Sequence, residues 1–310
     1  MDLRNFIEAL EYNGKLHRVK AEVDKDWELS CIARHVAYLP TEKRYGLFFE
    51  SPKGFNIPVV VGLFASRELY ALALGVNKLK DIYERWSKAL SKPILPVEVS
   101  TGPCKEQIQI GDKVDLTEFP IPTSTPGLDK APFISAGCVV TKDPETGIRN
   151  VGTYRLMLKD KNKLGILLLP AKHGGIIYSK YEAIDKPMEV AIVIGPPPSV
   201  CMTSTGRVPY DLDELAVSGG LEDKPLHLVH CETVDLEVPA EAEIVIEGVV
   251  PPKVRELEGP FGEFSGFMAS EGMRPFVNVT AVTGRINPIY QSFIEQKPPS
   301  EGACLKDVVL

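Results

Sequence analysis

Residues 188–194 read Met188-Glu189-Val190-Ala191-Ile192-Val193-Ile194, a short apolar run rich in β-branched residues and closed by Gly195 and three prolines. A run of that length and composition between turn formers reads as a β-strand. Runs of the same kind recur at 133–141, 152–158, 165–169, 243–249, 277–282 and 289–293, each punctuated by Gly or Pro. Such regular short strands predict a barrel or sandwich. One helix is expected among them, over 210–218, because Asp211-Leu212-Asp213 suits the positive end of a helix dipole.

Toward the N-terminus the texture changes. Residues 3–12, 27–38 and 68–90 have helical apolar spacing and 58–62 read as a buried strand, which makes an α/β module. Residues 93–103 are Pro-rich and polar enough for a linker, and 119–132, with four prolines, form a long loop. The expected class is therefore α+β: an N-terminal α/β domain over 1–102, a β-barrel domain over 103–299, and over 300–310 the opening of an amphipathic helix. That helix stops after about two turns, so the sequence predicts further chain beyond it or a partner that completes it.

The 310 residues are 44% hydrophobic and 25% charged, which is ordinary globular composition and argues against disorder, collagen and coiled coil. A net charge of −7 makes a broad basic face for nucleic acid a poor expectation. The longest apolar runs, 57–65 and 164–171, fall short of the ~20 residues that cross a bilayer. The start, Met1-Asp2-Leu3-Arg4-Asn5, lacks the order of a signal peptide, so a soluble chain in the cytoplasm is expected. Six single cysteines without a C-x-x-C pair read as reduced thiols, most of them small core residues.

Three segments carry chemistry. Leu257-Glu258-Gly259-Pro260-Phe261-Gly262-Glu263-Phe264-Ser265-Gly266 sets two carboxylates in a stretch that Gly and Pro keep from being a continuous helix or central strand. It reads either as a ligand-approaching loop whose acids do general acid/base work or as a hairpin with two solvated glutamates. Asn150-Val151-Gly152-Thr153-Tyr154-Arg155 places Thr153 and Arg155 on one strand face, where an inward arginine needs an anion, a ligand's or a structural carboxylate's. His173, beside Lys172 and Gly174-Gly175 in a glycine-rich turn, reads as a metal or phosphate contact or as a merely exposed histidine. Glu214 by itself reads as a solvated helix residue.

Taken together, the order and spacing resemble one family. Asn-x4-Arg, a His eighteen residues after that Arg, an Asp-Glu-Leu helix and then Glu-Gly-Pro-Phe-Gly-Glu resemble the UbiD-type decarboxylases, which use prenylated FMN. The resemblance extends to Asp2-Leu3-Arg4-Asn5-Phe6-Ile7 and to Phe48-Phe49-Glu50-Ser51-Pro52-Lys53-Gly54, and so covers essentially the whole chain. It implies a flavin-reductase-like split β-barrel that holds the cofactor, and a C-terminal domain in relatives that these residues lack.

The resemblance further implies site roles. Asn150, His173 and Glu214 look like ligands of a divalent ion, Mn²⁺ or Mg²⁺, bridging to the flavin phosphate, a donor set that suits such ions. Thr153, Lys172 and the Thr203-Ser204 turn fall where the family has phosphate and K⁺ contacts. Arg155, Glu258 and Glu263 would be the catalytic set: Arg155 orients the substrate carboxylate, Glu258 positions Arg155, and Glu263 delivers the proton to the carbon that loses CO₂. The implied activity is a reversible carboxy-lyase acting on an unsaturated or aromatic acid, supplied with cofactor by a flavin prenyltransferase. A homo-oligomer, or completion by another subunit, is expected. Two other readings remain at this point, a split-barrel FMN oxidoreductase and a subunit of a multi-subunit (de)carboxylase.

Overall fold

A computed structural model of the chain describes residues 1–76, 78–125, 127–295 and 297–307. Among the described residues there are eight α-helices: α1 Leu3–Tyr12, α2 Glu28–Ala37, α3 Arg67–Ala73, α4 Leu79–Ser91, α5 His173–Ala183, α6 Pro198–Thr205, α7 Glu214–Glu222 and α8 Glu301–Asp307. The fold is mixed α and β.

The dominant sheet runs in the order Phe133–Ile134, Leu156–Asp160, Lys163–Ile166, Phe276–Gly284, Ile244–Val250, Met188–Ile194, Cys138–Lys142, Arg149–Thr153, with Gln107–Ile110 also paired to Phe276–Gly284. Every pairing in it is antiparallel. Its order forces curvature. Arg149–Thr153 is one edge and Leu156–Asp160 lies at the other end, yet only Tyr154 and Arg155 join them, a link that spans at most about 11 Å. The sheet therefore curls into a half-barrel, and Arg155 sits on the seam where its ends approach.

Along the central strand, residues alternate between two cores. Val190, Ile192 and Ile194 join the cluster that includes Leu156, Leu164, Ile244, Ile246 and Val277. Ala191 and Val193 join the cluster that includes α1, α6 and α7. Both faces are covered, which is why 188–194 read as a continuous apolar run rather than a polar–apolar alternation.

A second, four-stranded sheet has the order Leu16–Val23, Gly46–Pro52, Val59–Val61, Tyr290–Gln291. Its last strand corrects the sequence reading. The run at 289–293 does not join the barrel strands but pairs in parallel with Val59 and Val60. A short strand carries no mark of its partner, so composition could not tell the two sheets apart.

Other expectations are corrected in detail. The run 152–158 is two strands parted at Tyr154-Arg155, and 133–141 is two strands parted at Ser135–Gly137. Residues 68–90 form α3 and α4, with Gly75 at φ +64° in the break. The helix expected over 210–218 is α7, with Asp213 as its N-cap accepting from the Leu215 amide at 2.8 Å. It is not alone among the strands. His173 opens α5 instead of lying in a turn, and Thr203-Ser204 belong to α6 instead of a turn. Both helices were hidden because Gly174-Gly175 and Pro196-Pro197-Pro198 signal loops, and because Pro198 through Ser204 are buried all round, leaving no apolar face to read. Cys104, Cys138 and Cys201 are buried, whereas Cys31 is exposed.

The expected terminal helix is present as α8, and Val308–Leu310 lie outside the described residues. Its anchor is Glu301, a buried carboxylate that accepts the amides of Gly62 (2.7 Å) and Phe64 (2.9 Å). Burial pushes that carboxyl up to about 8, against the amide hydrogen bonds that favour its ionised form. Among the described residues no helix is long and apolar enough to cross a membrane.

Candidate functional site

The seam places Arg155 between the half-barrel and the 256–274 hairpins. Strand Glu256–Glu258 pairs with Gly272–Arg274, and Phe261–Gly262 with Met268–Ala269. Gly259 lies between them at φ +88°, a backbone region that favours glycine and lets the chain turn back between the two carboxylates. The turn is pinned from outside: Asp129, in the Pro-rich loop, accepts the Gly262 amide at 2.8 Å and the Thr125 amide at 2.7 Å.

Glu258 is fully buried and grips Arg155 in a bidentate pair, Nε to Oε1 at 2.9 Å and Nη2 to Oε2 at 2.7 Å. Nη1 of Arg155 donates to Glu263 Oε1 at 2.5 Å. The Glu263 side chain remains 28% exposed while that of Arg155 is 6% exposed, so the arginine faces inward and the second glutamate reaches solvent. The Phe261 ring covers the guanidinium at 5.5 Å. A guanidinium has five N–H donors, and three are used here. One on Nη1 and one on Nη2 are left for a planar anion, the pattern that matches a carboxylate.

The second constellation joins strand Arg149–Thr153 to the openings of α5 and α7. Glu214, buried, accepts Asn150 Nδ2 at 2.8 Å and the Val151 amide at 2.9 Å; its Oε1 lies 3.7 Å from His173 Nδ1, which is 3.4 Å from Asn150 Nδ2. Burial raises the affinity of Glu214 for a proton, against the nearby His173 and the hydrogen bond from the Val151 amide. Asn150 Oδ1 is buried with no hydrogen-bond partner among the described residues. Turning this amide over, which exchanges its O and N, sets three donor atoms 2.8 to 3.7 Å apart. Ligands of an octahedral Mg²⁺ with 2.0–2.1 Å bonds sit about 3 Å from one another, so an amide oxygen, an imidazole and a carboxylate here fit a hard divalent ion.

The remaining residues expected at the site lie on its flanks. Thr153 Oγ1 meets Ser204 Oγ at 2.8 Å, tying the strand end to α6, with Cys138 Sγ 3.3 Å from the same serine. Lys172 is the extended N-cap of α5. Sequence reasoning missed Tyr154. Its hydroxyl accepts the Gly174 amide at 3.0 Å and its ring fills the space a Cβ would need at Gly152 and at Gly174, which fastens the seam to α5. It also missed Asp143, which holds Lys180 at 2.7 Å and Tyr210 at 2.5 Å, the Tyr210 ring standing edge-on to His173 at 5.0 Å. Tyr154 lies inside the Asn150–Arg155 segment but at one of its unspecified positions, and Asp143 lies in no motif, so only three-dimensional proximity marks them.

Among the described residues, the one group of three His, Asp or Glu side chains close enough to share an ion is Glu98, His230 and Glu237, on the separate three-stranded sheet. Glu237 there is already paired with Lys142 and Arg149.

The family model described as the 3-octaprenyl-4-hydroxybenzoate carboxy-lyase Rift-related domain matches residues 96–298, and the model of the N-terminal domain of the same carboxy-lyase matches 7–86. An evolved dimeric form of the UbiD-class enzyme HmfF from Pelotomaculum thermopropionicum, in complex with prFMN, is 39% identical with a TM-score of 0.92, over 99% of this chain and 70% of that one. Vanillic acid decarboxylase from Sedimentibacter hydroxybenzoicus is 35% identical with a TM-score of 0.93, over 98% of this chain and 66% of that one. An uncharacterised protein from Aquifex aeolicus is 36% identical over 97% of this chain, which spans 65% of that relative's length.

Proposed function

Because this chain belongs to the UbiD carboxy-lyase family, we propose that it carries the site of a reversible, non-oxidative decarboxylase of an unsaturated or aromatic carboxylic acid, working with prenylated FMN. The observation that carries the reading is Arg155: buried, held by Glu258 on one side, touched by Glu263 on the other, with two N–H donors still to give.

Arg155 binds the substrate carboxylate through those donors and fixes its plane. Glu258 holds the guanidinium so that the charge does not wander, and cancels it when the site is empty of substrate. Glu263, solvent-accessible and on the same guanidinium, delivers a proton to the carbon that loses CO₂ and takes one in the carboxylation direction. Prenylated FMN, when bound, supplies the electron sink for the pair left by CO₂. Asn150, His173 and Glu214 would hold Mn²⁺ or Mg²⁺, with Thr153, Lys172 and Ser204 flanking the flavin phosphate and K⁺. In this reading the half-barrel is the split barrel of flavin reductases and cradles the flavin.

Names of similar proteins support the class and not the substrate: one is a vanillic acid decarboxylase and one is a UbiD-class enzyme with prFMN bound. A plain-FMN hydride-transfer enzyme is not favoured, since it has no use for a buried Arg-Glu pair with a second carboxyl beside it. Glu263→Gln tests the role assignment. Solvent deuterium exchange at the reacting carbon is expected to fall by 10²-fold or more, on the order of what a general acid contributes; unchanged exchange would remove Glu263 from the proton step.

A further inference from the structure

A second carboxyl, Glu295, belongs to the segment that runs beside the turn carrying Glu263. The chain at Glu295 runs beside the 258–266 turn: a Cβ at Gly262 would be 3.6 Å from the Glu295 carbonyl, and one at Gly266 would be 3.1 Å from the Lys297 Cα. The Glu295 carboxylate is pressed on α8, where a Cβ at Gly302 would come within 2.1 and 2.5 Å of its two oxygens. Its Oε2 is buried and has no hydrogen-bond partner among the described residues. An ionised oxygen in that condition is costly, whereas a neutral acid is not.

The charges around it are few. From α8, Lys306 attracts its anion and Glu301 repels it; from the turn, Glu263 repels it. Lys306 is itself largely buried, its ammonium 3.2 Å from the centre of the Phe264 ring, next to Glu263, and it feels Glu295, Glu263 and Lys172. Burial pushes the Glu295 carboxyl up to about 7, Lys306 acting against that and Glu263 with it, and burial pulls the Lys306 ammonium down.

We propose that Glu295 and Lys306 are positioning residues for the proton step at Glu263, a proton-holding carboxyl and a counter-charge whose states are coupled to that of Glu263. The proposal rests on the reading of Glu263 as the proton carrier. When Glu263 gives up its proton and becomes an anion, Glu295 binds its own more tightly, and Lys306 limits the charge that accumulates. Coupled sites titrate as a unit, so the signature is a shift of one group when the other is neutralised.

The test is a pH titration of the Glu295 side-chain carboxyl by ¹³C NMR on the 310-residue chain, assigned with Glu295→Gln. A midpoint near 7 is expected. It should move down in Glu263→Gln and up in Lys306→Met, by about one pH unit, a tenfold change in proton affinity. A midpoint in the ordinary carboxylate range, or one unmoved by both substitutions, overturns the coupling. In cofactor-loaded protein, Glu295→Gln should displace the pH profile of solvent deuterium exchange and Glu295→Asp should restore it; an undisplaced profile overturns the positioning role. A chain with coupled titrations and no exchange in wild type would contradict the decarboxylase reading and leave the coupling standing.

Discussion

Arg155 and Glu258 are 103 residues apart in the chain and meet through two parallel hydrogen bonds of 2.9 and 2.7 Å, with Glu258 wholly out of solvent. The pair ties the seam of the half-barrel to the hairpin beside it, because Arg155 lies on the link between the two ends and Glu258 on the strand Glu256–Glu258.

Removing one partner of a buried ion pair leaves the other charge uncompensated. Glu258→Ala should therefore cost about 3–5 kcal/mol of unfolding free energy, measured by urea denaturation. A loss below about 1 kcal/mol would mean that water or another group satisfies Arg155, and that the pair does not organise the seam.

His173 is held in place through Asp143. Burial alone would raise the Asp143 carboxyl, but hydrogen bonds from Lys180 and Tyr210 hold it down to about 2, below the ordinary 3.8. A lowered acid contributes stability that is present above about pH 4 and is lost as pH falls through 2. Asp143→Asn should be less stable than wild type at neutral pH, with the gap closing between pH 4 and 2. Parallel curves over that interval would contradict the assignment.

Gly175 has no room for a side chain, since a Cβ would stand 2.0 Å from the Leu169 carbonyl oxygen. Gly175→Ala should displace the opening of α5 and with it His173, seen as a lowered midpoint of thermal unfolding and loss of divalent-ion binding in equilibrium dialysis with Mn²⁺. Retention of both would show that the 170–175 segment relaxes freely.

If Asn150, His173 and Glu214 hold an ion that in turn contacts the flavin, His173→Ala should lose metal and flavin together. Elemental analysis and flavin absorbance on the same sample check this. Full flavin with no metal would separate the two sites.

The sequence carried the polar half of this site better than its surroundings. Glu258 and Glu263 announce themselves because Gly and Pro around them keep the stretch from being a continuous helix or central strand, and Asn150, Arg155, His173 and Glu214 because their spacing repeats a family pattern. Their secondary structure was less legible: glycines at 174 and 175 signal a turn, yet they serve a helix start where Tyr154 and Leu169 need the space. The strand at Tyr290–Gln291 was visible as a strand and not as a member of the four-stranded sheet, since pairing across more than two hundred residues leaves no local trace. Lys306 lay in 300–310, read only as a helix opening, and Glu295 between that stretch and the 289–293 run with no reading of its own, and their place beside the 258–266 turn follows from where α8 packs.

The most direct test of the central claim is the identity of the flavin. The chain should be produced together with a flavin prenyltransferase, purified with Mn²⁺ and K⁺, and any released flavin weighed by mass spectrometry. The account predicts prenylated FMN at near one per chain. Plain FMN alone, or no flavin, would contradict it.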